Sequence, residues 1–477
     1  MEFEVVIGLE VHIELATKTK IFCSCKNEFG AAPNTNCCPV CLALPGALPV
    51  LNKKVVEFGI KAGHALNCEI PEFSKMDRKG YFYPDLPKAY QISQFDYPLC
   101  KQGYVDVPME DYVRRVGITR IHIEEDAGKL VHDGFGGDSG VDLNRCGVPL
   151  IEIVTEPDLR SAQEVKEFLE TLKANIEYVG ISDCKMQEGS MRCDINISVR
   201  EKGATTYGTR TELKNINSIS AAIRAIEYES RRHMECVEDG EEIIQETRRW
   251  DDGKGKTFPM RDKEEAHDYR YFPDPDLVPI VVTKQQIQAW KDEMPEMPKQ
   301  RKVRFIEEYD LPAYDAGILT SSKYLADFFE GCTALGAAPK AVSNFIMSDV
   351  LRLLKEMDLE PKDLPIAPER LVEVLKLIDD KVVSTTVGKQ VFEEAFKTGK
   401  TAAEIVEEKG LKQINDDSAI RQIVAEVIAE NPKPANDFKG GNPKALTAYV
   451  GKVMKATKGK ANPQLVNQLV REEVDKL

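Results

Sequence analysis

Around Met294-Pro295-Glu296-Met297-Pro298 the hydrophobic pattern of the chain changes period, from two residues to about 3.6, and this limits the fold more than any single motif does. Upstream lie strand-like alternations: EVVIGLEVHIEL (4–15), RIHIEE (120–125), VPLIEIV (148–154) and RCDINISV (192–199), separated by many Gly and Pro turns. SAQEVKEFLETLKANIEYVG (161–180) reads as a helix, with Ser161 as N-cap, Glu164 at the capping-box position and Gly180 as C-cap. Downstream, KYLADFFEGCTAL and PERLVEVLKLIDD are helical, with no convincing strand between them. Near 407 the composition shifts again, and EKGLKQINDDSAIRQIVAEVIAENP and NPQLVNQLVREEVDKL read as amphipathic helices, the latter starting at Asn462-Pro463. The predicted class is α+β: a mixed first domain at 1–293, an all-helical domain at 294–407 and a small helical tail domain at 408–477. Three domains also suit a length of 477 residues at ~150 residues per domain.

The N-terminal MEFEVVIGLEVH carries acidic residues where a signal peptide needs basic ones. No segment approaches the ~20 uninterrupted apolar residues of a membrane span. A soluble, cytoplasmic protein with reduced thiols is therefore expected, and there a cysteine cluster points to metal rather than to disulfides. Five of the 12 cysteines fall in FCSCKNEFGAAPNTNCCPVCLALPG. Cys23-x-Cys25, twelve residues, then Cys38-x-x-Cys41 gives two short knuckles, each presenting two thiolates to one ion. Four soft sulfur ligands fit tetrahedral zinc, and a closed four-sulfur site is structural. Cys37 could replace Cys38, although the Cys-x-x-Cys spacing favours Cys38. A set of small buried residues is the plainer alternative.

Alternation places Glu10, His12 and Glu14 on one face of GLEVHIE, and Asp194, Asn196 and Ser198 on one face of CDINIS. RIHIEEDAG adds His122 and Glu124, with Glu125 and Asp126 at the strand end; PLIEIVTEPD adds Glu152; RTELKNINS adds Glu212, Lys214 and Asn215. One such strand suits a solvated sheet face. Five of them suggest carboxylates gathered around cations, and hard oxygens with an imidazole suit Mg²⁺ held with nucleotide phosphates. Neither standard phosphate loop is present. In DDGKGKT, Trp250 occupies the first-glycine position of a P-loop, and in GFGGDS, Ser139 stands where a dinucleotide fingerprint needs its third glycine.

GLEVHIEL, the knuckles followed by LPGALPVLN, YFYPDLPKAYQISQ (81–94), RIHIEEDAGK, LIEIVTEPD, MRCDINISVR, TELKNIN, DYRYFPDPDLVP (268–279) and the C-terminal NPQLVNQL, in this order, resemble the B subunits of glutamine-dependent aspartyl/glutamyl-tRNA amidotransferases over essentially the whole chain. The resemblance implies a heterotrimer. An amidase-type glutaminase A subunit would release ammonia, a small C subunit would wrap the interface, and this chain would supply a catalytic cradle that binds misacylated tRNA. It agrees with the lack of a GGSSGGS-like amidase core here, Ser321-Ser322-Lys323 being better read as a helix cap.

A side-chain carboxylate of Glu-tRNA or Asp-tRNA is a poor acyl donor. ATP would convert it to an acyl phosphate, and ammonia would displace the phosphate, giving Gln-tRNA or Asn-tRNA. Glu10, His12, Glu125, Asp194 and Glu212 are assigned to the metal or ATP site, with Glu124 and Glu152 in support; His12, Glu125 and Glu212 are the expected Mg²⁺ ligands. Glu125 is the choice for handling the proton of incoming ammonium. Lys88 is expected at the ammonia-channel exit. Lys214 and Arg270 are expected at phosphate, with an ion pair from Arg270 to Asp268 or Asp274 as the alternative.

The formal charge of −15 suits a polyanion poorly, yet residues 431–477 carry nine Lys or Arg against four Asp or Glu, including Lys452, Lys455, Lys458 and Lys460. Helical and tail domains that grip tRNA are expected, with a solvated helical face as the alternative. Two rival functions share parts of the pattern: a stand-alone ligase for a small carboxylic acid, and a non-catalytic zinc-dependent RNA-binding protein.

Overall fold

The computed structural model describes residues 2–132, 138–262, 269–412, 417–439, 443–457, 461 and 463–476. Residues 134–137 of GFGGDS, Asp268, Lys458, Lys460 and Asn462 lie outside these. The chain divides into two compact units, Met1–Pro298 and Lys299–Leu477.

The first unit is built on an eight-stranded sheet: β1 (Phe3–Glu14), β2 (Cys100–Pro108), β3 (Val113–Glu125), β4 (Pro149–Thr155), β5 (Met191–Glu201), β6 (Thr211–Lys214), β7 (Glu246–Asp251) and β8 (Lys256–Asp262). Their spatial order is β8-β7-β6-β5-β1-β4-β3-β2, all antiparallel except the parallel β6–β7 pair. That one parallel step needs a crossover, which the helix Ile219–Asp239 (α3, with α1 Lys53–Ala65 and α2 Ala162–Val179 before it) provides. Alternation decides the two faces. Ile7, Leu9, Val11 and Ile13 point into one core with Val55 and Ile60 of α1, Phe168 and Leu172 of α2, and Ala221 and Ala225 of α3. Each fully buried Leu, Ile or Phe there contributes about 1.5–3 kcal/mol. The opposite face keeps the polar residues.

α2 begins and ends as its sequence implies, with Ser161 accepting from the Glu164 amide and Gly180 in the left-handed region at φ 73°. The Glu164 side chain departs from the capping-box expectation. Its carboxylate accepts from the Arg160 amide at 2.7 Å, and from Tyr112 and Arg114 at 2.7 and 2.9 Å. A neighbouring arginine and tyrosine outcompete the N-cap amide. DDGKGKT forms a hairpin turn between β7 and β8, with Gly255 at φ 61°, and no helix follows it as a P-loop requires.

A three-stranded sheet of Asp77–Gly80, Tyr90–Ser93 and Phe272–Pro273 closes over the end of β3. Gln94 accepts from the Ile123 amide at 2.9 Å, and Gln91 donates to the Glu125 carbonyl at 2.7 Å.

The second unit has no strand among its described residues. Helices Lys323–Ala334, Pro368–Asp379, Asp417–Glu430 and Pro463–Asp475 occupy the predicted segments. Ser322 takes the N-cap position with extended backbone but makes no side-chain cap bond, while Ser321 donates to the Ile318 carbonyl of the preceding helix. Two hydrophobic clusters lie in this unit, one spanning Phe305 to Val406 and the other Ile420 to Val474. Among the described residues no helix is long and apolar enough to cross a membrane.

Candidate functional site

The register of the sheet assembles the polar residues of five strands on one face. His12 of β1 stands opposite Glu152 of β4, which stands opposite His122 of β3. On the other side of β1, Glu10 faces Asp194 of β5, and Asn196 faces Glu212 of β6. At the centre, His12 Nε2 lies 3.4 Å from Glu124 and 3.3 Å from Glu152, and His122 Nε2 lies 3.5 and 3.3 Å from the same two carboxylates. Burial disfavours charge on all four groups, yet mutual pairing overcomes it. The carboxylates raise the pKa of His12 to about 9 and push that of His122 up, while the imidazoliums hold Glu152 well below and Glu124 below the usual carboxylate range.

Ligand atoms of His12, Glu124 and Glu152 all lie within 4.8 Å of one another. An octahedral ion with ligands at ~2.1 Å separates its donors by about 3–4 Å, so two carboxylates and one imidazole here fit Mg²⁺.

The expected ligand set His12, Glu125 and Glu212 is not brought together. Glu125 follows Glu124 on the strand and therefore leaves from the other face. There it pairs with Lys88 at 2.6 Å and accepts from the Ile92 amide at 2.9 Å. Glu212 accepts from Thr247 at 2.7 Å and lies 3.6 Å from Lys214. Lys214 in turn holds Asp194 at 2.7 Å. Burial alone would lower the Lys214 pKa, but Asp194, Glu212 and Glu10 raise it instead, so this cation neutralises the acidic row and any phosphate must share it. Asn196 donates to Glu10 at 2.9 Å. Asn215, at φ 68°, turns out of β6 and donates to the Trp250 carbonyl at 2.9 Å. Arg270 is exposed, with φ 47°. Its alternative partner Asp274 is taken by Arg78 at 2.9 Å, which leaves Arg270 without an ion pair among the described residues.

Sequence reasoning did not assign Arg192, Thr247 or the tyrosines around the centre. Arg192, two residues before Asp194 on the same strand face, binds Asp126 at 2.9 Å, and alternation alone would have found it. Tyr271 stacks on Phe95 with ring centroids 4.4 Å apart, and Tyr81 and Tyr271 are half-buried near Glu124. Burial followed by the Glu124 charge raises both phenols, so they stay neutral donors beside the carboxylates.

The second cluster is the cysteine knuckle. The Sγ atoms of Cys23, Cys25, Cys38 and Cys41 lie within 4.8 Å of one another, and those of Cys38 and Cys41 are 3.8 Å apart. A tetrahedron with Zn–S bonds of ~2.3 Å has S···S edges of about 3.8 Å, so the donors fit zinc. Cys37 stands beside Cys41 without belonging to the four, and its Sγ donates to Asn144 Oδ1 at 3.6 Å. Crowding moves the thiol pKa values of Cys23, Cys25 and Cys41 apart. Hydrogen bonding from Cys23, helped by the Cys38 amide and Lys20, lowers Cys41 to about 4, whereas burial and Cys38 push Cys25 up to about 11. All four sulfurs become thiolate only with a cation among them. Cys23 and Cys41 also line a pocket of about 220 Å³ together with Lys88 and Glu125.

Residues 5–288 match the GatB/GatE catalytic domain family, and residues 327–474 match the GatB domain family. The chain is similar over its whole length to the B subunits of aspartyl/glutamyl-tRNA(Asn/Gln) amidotransferases: it is 58% identical to that of Caldicellulosiruptor saccharolyticus and 59% to that of Caldicellulosiruptor bescii, each alignment covering 100% of both chains. Against a protein of Clostridium acetobutylicum that bears the same name, numbered 2, identity is 53% over 99% of both. Two family domains in order, together with similarity of this level from end to end, make the chain a member of the GatB family of amidotransferase B subunits.

Proposed function

We propose that this chain is the carboxylate-activating and tRNA-binding member of a cytoplasmic heterotrimeric amidotransferase, an ATP-dependent carbon–nitrogen ligase that takes glutamine as amide donor. It acts with an amidase-type glutaminase A subunit and a small C subunit on misacylated Glu-tRNA(Gln), Asp-tRNA(Asn) or both. The observation that carries this reading is the His12–Glu124–Glu152 centre on the polar sheet face, in a chain that matches amidotransferase B subunits along its full length.

In this reading His12, Glu124 and Glu152 hold Mg²⁺ on the polar sheet face. The bound ion would neutralise phosphate charge during transfer to the substrate carboxylate. His122 hydrogen-bonds both carboxylates and orients them. Glu10, Asp194 and Glu212 fix Lys214 at the edge of the face, where its ammonium can share a phosphate oxygen. Exposed Arg270 is available to a second phosphate group. The neutral phenols of Tyr81 and Tyr271 exclude water from the centre, and this protects an acyl phosphate from hydrolysis. Lys88 and Glu125 form a proton-handling pair at the pocket by which ammonia enters. Ammonium is unreactive until it loses a proton, and Glu125 is the nearby base that takes it once Lys88 moves off. The four cysteines hold a structural zinc that shapes the lining of that pocket.

The test is transamidation by the reconstituted trimer with each misacylated tRNA, ATP and glutamine. His12→Ala and Glu152→Gln should each cut amide formation at least 100-fold while glutamine hydrolysis continues, because only the activation step uses them. Undiminished amide formation in both variants would remove the reaction from this face.

A further inference from the structure

Lys20 has none of its surface exposed, and among the described residues no carboxylate stands within ion-pair distance of it. Its ammonium donates to the Asn36 carbonyl at 2.9 Å and lies 3.8 Å from Cys41 Sγ. The stem packs against Gly147, where a Cβ would meet both Lys20 and Cys41 within 4 Å. A lysine cation is almost never fully buried without a counter-charge, since desolvation costs several kcal/mol. One carbonyl dipole does not supply that charge. The nearest group that can is the cysteine cluster, because four thiolates around one divalent ion carry a net charge of −2, itself costly in a partly buried loop.

We propose that Lys20 is the built-in counter-ion of the four-cysteine centre, halving its net charge and holding the metal in place. The inference rests on the reading that these cysteines bind zinc. Each buried charge explains the other: the ammonium is tolerated because the thiolates are there, and the excess negative charge of the thiolates is tolerated because the ammonium lies 3.8 Å from Cys41 Sγ. The main chain fixes this geometry. The Lys20 amide donates to the Cys25 carbonyl at 3.0 Å, and the Ile21 amide donates to the carbonyl of Gly147, which lines the Glu125 pocket, at 2.8 Å, so this stretch is anchored both to the first knuckle and to the pocket lining.

The experiment compares zinc content and the rate of zinc transfer to excess chelator in the purified trimer for wild type, Lys20→Met, Lys20→Gln and Lys20→Arg. Stoichiometric zinc in the wild type is the precondition, and its absence would refute the zinc reading before any variant is compared. Loss of the charge should weaken zinc binding by about 10–100-fold, as expected on removing a group that supports metal ligands. Lys20→Arg should stay close to wild type. If neither neutral variant folds while Lys20→Arg does, the requirement for charge stands. Wild-type zinc release from Lys20→Met or Lys20→Gln, or an arginine variant as impaired as the neutral ones, would overturn the proposal.

Discussion

Glu229 offers a stability measurement whose size follows from the structure. It is fully buried between α3 and the β7–β8 hairpin, accepting from Arg232 at 3.0 Å and Thr257 at 2.7 Å, with His233 Nε2 at 3.3 Å and Arg248 at 3.8 Å. Burial would raise its pKa, but bonds from His233, Arg232 and Thr257 and the Arg232 charge bring it down to about 2 from an ordinary 4.5. A folded-state pKa held at about 2 instead of 4.5 contributes about 3 kcal/mol, fully present above pH 4.5 and lost as pH falls toward 2. Glu229→Gln should therefore lower the unfolding free energy by about 3 kcal/mol at pH 7 and by about 1 kcal/mol at pH 3, where much of the wild-type advantage has gone. Both tryptophans of the chain, Trp250 and Trp290, lie in the first unit, so fluorescence during urea unfolding of the full chain reads that unit alone. A difference below ~0.5 kcal/mol at pH 7, or an equal difference at both pH values, would refute the electrostatic account and leave only packing.

Glu125→Gln should abolish amide formation while leaving glutaminase activity and the assembled trimer intact, and wild-type transamidation by this variant would exclude proton handling by Glu125. Elemental analysis should find zinc lost in Cys38→Ser and retained in Cys37→Ser; the reverse result would exchange the two ligands. Deleting residues 408–477 should raise KM for tRNA and flatten its salt dependence by about the number of phosphate contacts removed, with kcat at saturating tRNA little changed. Unaltered affinity and salt slope, together with a lower Tm, would make the tail a stabilising cap only.

Much of this arrangement was legible because strand alternation is a strict code. The even-numbered residues of GLEVHIE could only share a face with the alternate residues of CDINIS if both strands were in one sheet, and they pair as Glu10 with Asp194. What alternation could not give was register between distant strands. His12 meets Glu152, and beside it Glu124, because β1 pairs with β4 and β4 with β3 in one particular alignment, set by long-range packing. The choice between Glu124 and Glu125 was open to the same alternation rule, since neighbours on a strand face opposite ways. The cysteine knuckle was readable from spacing. Its counter-charge was not, because Lys20 looks like any surface lysine until the loop Asn36–Cys41 folds over it. Glu164 shows the limit of local motifs: its position fits a capping box, but Tyr112 and Arg114, some 50 residues away in sequence, claim its carboxylate.

The first strand of the chain is an inner strand of the sheet, with β4 on one side and β5 on the other. Neither neighbour exists when β1 leaves the ribosome, since β4 begins at Pro149 and β5 at Met191. At about 5–20 residues per second, the ribosome needs roughly 10–40 s to deliver the second of them. For that interval Ile7, Leu9, Val11 and Ile13 form an unpaired, apolar edge tethered to a nascent chain, a template for wrong pairing with neighbouring polypeptides. Synthesis of this chain should therefore depend on a holdase that shields the segment Phe3–Glu14, and slowing translation between that segment and Met191 should lower the yield of soluble protein more than slowing it afterwards.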